Sequence, residues 1–201
     1  MASLIKDTHW LLFKNYVQQV YPLPEKSWEK FASIWEGYQA DKKQILTEAG
    51  APEKYLYFVI EGVQRVYYWN EEDQEATIVF SYAPSFAGVV DAFLLEMPSK
   101  YYFQTIQKSL FLRTSFRQLK TLTDEDLHLN YFIEKGVYMA FSGVLERLVE
   151  LQCFSSEQKF RNLLQRSPHL LQIVPHKYLA NYIGIDVSNF SKLMNKIKIG
   201  E

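Results

Sequence analysis

Apolar residues change their spacing twice along the chain. Over residues 3–20 they recur at helical intervals, with Leu4, Leu11, Leu12, Tyr16 and Val20 forming a stripe, and Pro22 and Pro24 end the run. Residues 25–35 predict a second helix with Trp28, Phe31 and Trp35 on one side. From about residue 40 the period shortens. Segments 44–48, 55–60, 63–69, 76–82, 101–107 and 110–114 are short and rich in β-branched and aromatic residues. Gly50, Pro52, Gly62, the polar cluster at 70–74, Pro84, Gly88 and Pro98 separate them. Such a series predicts an antiparallel sandwich or barrel. Residues 85–100 fit a strand poorly and read as an inserted loop or short helix.

Helical spacing then resumes. Ser115 with Gln118 forms a capping box, and Thr123 precedes Asp124, Glu125 and Asp126, which suit a helix N-terminus. The stretch 123–154 contains no proline, and in it Val137, Phe141, Val144, Leu148 and Leu151 repeat at the 4-3-4-3 spacing of a coiled-coil seam. Tyr138 and Leu145 widen the apolar face. A helix of about 30 residues is ~45 Å long, more than one small barrel covers, so it is expected to pair with its copy in a dimer. Ser155 and Gln158 form another capping box. Beyond it the tail reads as helices over 156–166, 175–183 and 187–198.

The last two of these have helix-turn-helix form. Leu179, Ala180 and Ile183 face inward on the first, and small Ala180 permits close approach by the second. Gly184 supplies a turn residue able to take positive φ, Ile185 plugs the space between the helices, and Asp186 can cap the second. Inward positions of that second helix are Phe190, Leu193 and Ile197. Outward positions are Ser188, Asn189, Lys192, Asn195 and Lys196, with Lys198 following, and no acid lies among them. A solvated surface helix would mix in Glu or Asp, whereas a helix entering a major groove presents polar and basic residues to base edges and phosphates.

Charge supports this division. The net charge is −1, yet residues 1–155 carry −5 and residues 156–201 carry +4. A basic tail behind an acidic body is the asymmetry of a nucleic-acid module. With 48% hydrophobic residues the chain is neither disordered nor fibrous. No apolar run approaches a membrane span, and the N-terminus lacks a signal-peptide build, so a cytoplasmic protein is expected. One cysteine, Cys153, excludes an internal disulfide framework and an iron–sulfur site.

The order of parts resembles the Crp/Fnr family of bacterial transcription regulators over roughly residues 20–198. Tyr57-Phe-Val-Ile-Glu-Gly-Val-Gln-Arg-Val-Tyr looks like the family's strand–Gly–strand hairpin, and Ser85-Phe-Ala-Gly-Val-Val-Asp-Ala-Phe stands where its phosphate-binding cassette begins. The resemblance implies an α+β chain in three parts. A β-barrel or jelly roll of cyclic-nucleotide-binding type spans 1–122, a long dimerisation helix 123–154, and an all-α helix-turn-helix unit 155–201. It implies a homodimer on double-stranded DNA, with RNA polymerase as a further partner and no membrane. An effector pocket would involve Gly88, Val89, Val90, Lys100, Tyr101, Val144 and Leu145.

Several residues depart from the family pattern. Val89 replaces the acid that holds the ribose hydroxyl in cyclic-AMP-binding members. Lys100-Tyr101 stands in place of their Arg-Ser, and Lys lacks the bidentate fork of Arg. Val144 and Leu145 fall where those members bring a polar pair to the base. No cofactor is expected, and a cyclic nucleotide is not expected, which leaves an orphan or apolar ligand or no small ligand at all. The β-hairpin wing that follows the family's recognition helix is nearly absent, so phosphate anchoring falls to the helices.

Other classes fit less well. A metal-dependent cupin needs clustered His and carboxylate ligands on strands, but His9, His128, His169 and His176 all lie outside residues 40–115. Haem ligation by His128 or Cys153 and a Cys–His nucleophile pair lack supporting residues, and Cys153 reads as a buried small hydrophobe. The stronger rival is a non-catalytic, dimeric interaction module with a vestigial helix-turn-helix.

Overall fold

Strand β3 (Tyr55–Glu61) is buried at five consecutive positions, Leu56–Ile60 in sequence order, which a strand tolerates only where both faces are covered. Leu56, Phe58 and Ile60 turn to one side and Tyr57 and Val59 to the other. The computed structural model, which describes residues 4–199 with side chains through residue 196, places a layer against each side.

Two four-stranded antiparallel sheets face each other. The first runs β1 (Glu36–Ala40), β8 (Ser109–Ser115), β3, β6 (Ser85–Ala87); the second runs β2 (Ile45–Thr47), β7 (Tyr102–Thr105), β4 (Val63–Trp69), β5 (Glu75–Tyr82). The sheets stay separate, giving the jelly-roll form of the sequence expectation and not a closed barrel. Tyr57, Val59, Val66, Phe103 and Phe111 fill the space between them. Gly62 (φ 89°) links β3 to β4, and a Cβ there would lie 2.5 Å from Ser109 Oγ and 2.7 Å from the Lys108 carbonyl. No other residue fits that turn.

The outer face of the first sheet carries helices α1 (Asp7–Val20), α2 (Glu25–Ser33), α4 (Phe116–Glu125) and α5 (Leu127–Cys153). Phe13 sits at the centre of this layer, with ring centroids 4.6 Å from Phe58, 4.9 Å from Trp35, 5.5 Å from Trp28 and 5.6 Å from Phe31. A second layer forms outside the other sheet. Val63, Phe80 and Ile106 pack there with residues of α6 (Ser156–Arg166), α7 (Leu170–Ile173), α8 (His176–Tyr182) and α9 (Val187–Ile199).

Several local expectations need correcting. The first stripe holds in part: Val20 is buried and Leu12 and Tyr16 pack against the core, but Leu4 and Leu11 are exposed, and Phe13 and Val17 are the fully buried residues of α1. Aromatic Phe13 and β-branched Val17 find a sheet to pack on, which periodicity alone does not reveal. Strand β1 and helix α7 were not expected, since Glu36-Gly-Tyr-Gln-Ala and a four-residue helix are too short to show a period. Residues 85–100 contain both β6 and the short helix α3 (Val90–Leu95). The helix expected from residue 123 is interrupted at Asp126, whose extended backbone ends α4 and whose carboxylate accepts the His128 amide at 3.0 Å to start α5. Cys153 is exposed, not buried, because it lies on the open side of the last turn of α5.

Replacing Phe13 by Ala removes the most connected ring of the helical layer and is expected to cost ~3–5 kcal/mol. Equilibrium denaturation with urea measures it through a lowered midpoint at unchanged slope.

Candidate nucleic-acid interface and sensor site

The turn between α8 and α9 forms as its residues dictate. Gly184 takes φ 66°, the Gly184 amide donates to the Asn181 carbonyl (3.1 Å), and the Ile185 amide donates to the Ala180 carbonyl (3.0 Å). Asp186 Oδ1 accepts the Asn189 amide at 2.8 Å, capping α9. Leu179, Ala180, Ile183 and Phe190 are fully buried, and Phe190 packs edge-on against Phe160 at 5.1 Å. On the other face Ser188, Lys192, Asn195 and Lys196 are exposed and Asn189 is half-buried. The face carries no acid of its own, but α6 supplies one: Glu157 Oε2 lies 3.0 Å from Lys196 Nζ. An exposed pair of this kind contributes little to stability. Lys192 makes no ion pair among the described residues. The side chain of Lys198, and residues 200–201 where a wing would begin, lie outside the described residues.

Helix α8 also rests on the second sheet. The Asn181 side chain accepts the Thr77 amide and donates to the Glu75 carbonyl. Arg65 lies between the Tyr67 ring (4.0 Å) and the Tyr178 ring (3.6 Å), and donates to Glu75 at 2.7 Å and Gln104 at 3.1 Å. Helix α5 reaches the same place. Arg147 donates to the Tyr182 carbonyl and covers the Tyr182 ring at 3.9 Å. Glu150 receives hydrogen bonds from Arg147 (3.0 Å), Arg166 (2.7 Å) and Asn162 (3.0 Å). Burial pushes its carboxyl up, but these three donors outweigh burial and hold it below the usual carboxylate range.

Between its buried first turns, which hold Leu129 and Phe132, and Glu150, α5 is bare. Val137, Phe141, Val144, Leu148 and Leu151 are all exposed, Phe141 at 62% and Val144 at 61%, and Tyr138, Leu145 and Val149 lie exposed beside them. A continuous apolar helix face in water is the mark of an interface.

At the cassette position, Gly88 takes φ 121° and Val89 caps α3. Val89 is buried, and its amide donates to Glu53 Oε2 at 2.9 Å. The same oxygen accepts from Thr47 Oγ1 at 2.8 Å. Burial raises the Glu53 carboxyl above its ordinary range, and the Val89 and Thr47 donors oppose this only in part. The Tyr101 amide is also satisfied, by Ser99 Oγ at 2.9 Å. Val90 is half-buried and Lys100 exposed.

Residues 39–126 match the family model of the cyclic nucleotide-binding domain. No curated protein matches the chain in sequence. Among solved structures, FixK2 from Bradyrhizobium japonicum is similar with a TM-score of 0.74 and 10% identity, over 83% of this chain and 86% of that one. A Eubacterium rectale protein assigned to the Crp/Fnr family gives 0.70 and 12%, over 90% and 88%. The global regulator CLP of Xanthomonas campestris, described as responsive to c-di-GMP, gives 0.65 and 15%, over 88% and 93%. The chain has the Crp/Fnr fold.

Within this Crp/Fnr fold the expected sensor residues are only partly brought together. Val89 joins the cluster between the sheets, with Tyr101 packed against it, while Val144 and Leu145 stay exposed on α5 outside that cluster. At the cassette position the Val89 amide is already taken by Glu53. Sequence reasoning missed Glu53, Asn181, Arg65, Arg147 and Glu150. Glu53 stands in a Pro-Glu-Lys loop and reads as a surface acid, and the others act through partners far away in sequence.

Glu150 yields a pH-dependent expectation. Its carboxyl is depressed in the folded state, so its contribution is present above the unfolded value of about 4.3 and is lost as pH falls through the folded value. Glu150→Gln is expected to cost ~1.5–3 kcal/mol at neutral pH. Its melting temperature should converge on that of the unsubstituted protein as pH is lowered through the folded value, measured by differential scanning calorimetry.

Proposed function

We propose that the chain is a homodimeric, sequence-specific DNA-binding transcription regulator of Crp/Fnr type. In this reading residues 1–122 are the sensor, 123–154 the dimerisation segment and 155–201 the DNA reader. The observation that carries it is the pairing of two surfaces. Helix α9 presents polar and basic residues without an acid, and α5 presents an unbroken apolar face. Ser188, Asn189, Lys192, Asn195, Lys196 and Lys198 are assigned to DNA. Val137, Phe141, Val144, Leu148 and Leu151 are assigned to the partner copy. Dimerisation would set two recognition helices one DNA turn, ~34 Å, apart.

The protein works in the cytoplasm, with RNA polymerase as a further partner and a small molecule other than a cyclic nucleotide as effector. No helix among the described residues is long and apolar enough to cross a membrane. The regulatory character of the fold relatives supports a protein without catalysis. Among the described residues no group of three His, Cys, Asp or Glu side chains could hold a metal ion.

About three lysines per reader would neutralise roughly six phosphates, so affinity should fall ~10³-fold between roughly 50 and 200 mM salt. Lys192→Glu combined with Lys196→Glu should abolish retardation of promoter DNA while light scattering still finds a dimer. Unchanged regulation by that variant would favour an interaction module whose helix-turn-helix is vestigial. Conversely, Phe141→Glu with Val144→Glu should give a monomer by light scattering and weaken DNA binding at least tenfold by loss of the second reader.

A further inference from the structure

A cavity of about 340 Å³ opens at the end of the sandwich between β1, β3 and β8 on one side and β2 with the loop before β3 on the other. Tyr38, Tyr55 and Tyr57 wall it, Arg113 closes one side, and Glu53 and Thr47 stand in its lining. No residue expected from the cassette lines it. Its volume is at the small end of ligand pockets.

One buried group in the cavity lacks an opposite charge, and one hydroxyl there is open to a ligand. Glu53 is only 6% exposed yet forms no ion pair among the described residues; its donors, the Thr47 hydroxyl and the amides of Val89, Tyr55 and Lys54, are all neutral. A carboxylate withdrawn from water normally has a cation beside it, because neutral donors replace only part of its hydration. Tyr57 is 3% exposed overall and lines the cavity, where its hydroxyl can meet a ligand. Burial and the Glu53 charge raise that hydroxyl far above its ordinary range, so it stays protonated and available as a donor or acceptor.

The walls suit a positive charge. Arg113 already lies 4.0 Å from the Tyr38 ring and 4.2 Å from the Tyr55 ring, showing that these faces accept a cation. Its own charge is matched by Glu36 at 2.8 Å, and the other charged lining residues, Glu48 and Lys54, are exposed. An anion is disfavoured for a direct reason: the Val89 amide, which could receive one, already holds Glu53. We propose that this cavity binds a small organic amine, with Glu53 as its counter-ion, the Tyr57 hydroxyl as a second polar contact and the tyrosine rings as walls. Under the regulator reading this names the chemical class of the effector, and only that consequence rests on the reading. The binding itself is measured without DNA.

The full chain is titrated by calorimetry and by thermal shift with tyramine, phenethylamine and choline, against 4-hydroxyphenylacetate as a size-matched acid and cyclic AMP. At least one amine should bind and raise the melting temperature, and neither anion should. Glu53→Gln should weaken the amine tenfold or more, the size of one charge-assisted hydrogen bond. Tyr57→Phe keeps the ring and the packing, so it serves should the Glu53 variant fail to fold, and it should weaken binding severalfold. The proposal is overturned if no amine binds at millimolar concentration, if the acid binds as tightly as its amine, or if both variants bind unchanged. DNA retardation by the same samples is scored separately, so a failure of DNA binding leaves the cavity result standing, and the reverse.

Discussion

Strand β5 ends its sheet, and the unpaired edge of a sheet has to be satisfied or shielded. The Asn181 carboxamide does part of this, offering one acceptor and one donor to the Thr77 amide and Glu75 carbonyl as a neighbouring strand would. Because Asn181 belongs to α8, the first helix of the helix-turn-helix, satisfying the edge seats that unit against the second sheet. The buried cluster shared by Val63, Phe80, Ile106, Leu179 and Ile183 then supplies the apolar contact beneath it. Arg65 completes the seat. Its long stem and planar head are buried between Tyr67 and Tyr178, where a lysine could not stack.

Tyr182 is where the three parts of the molecule meet. Its ring lies 5.1 Å from Phe80 of β5, Arg147 of α5 covers the same ring, and its carbonyl accepts from that arginine. Glu150 holds Arg147 in place and ties it to Arg166 of α6. Helix α5, the second sheet and helix α8 therefore share one joint built from aromatic and guanidinium planes.

The sandwich departs from the Crp/Fnr pattern in a specific way. The family comparison places a cyclic nucleotide-binding domain at 39–126, but the interior is packed by Tyr57, Phe103 and Phe111, and a carboxylate occupies the cassette amide. The substitutions at Val89 and at Lys100-Tyr101 are visible in the sequence. Their physical complement, a negative charge brought in by Glu53 from 36 residues away, is not.

The alternation of strands, the capping boxes at Ser115 and Ser155, the Gly184 turn and the apolar seam of α5 were all legible in the chain. Each depends on neighbours within a few residues, and periodicity or local hydrogen bonding carries the information. Short elements such as β1 and α7 escaped because they hold too few residues to express a period. Phe13 and Val17 of α1 escaped because two apolar stripes overlap on that helix and only the sheet beneath selects them over Leu11. What the sequence determined by itself was the order of parts and the chemical character of the recognition face. Tertiary structure alone decided that Asn181 finishes a sheet edge, that Glu157 meets Lys196, and that Glu53 is buried without a cation, since each is a meeting of groups that chain distance does not encode.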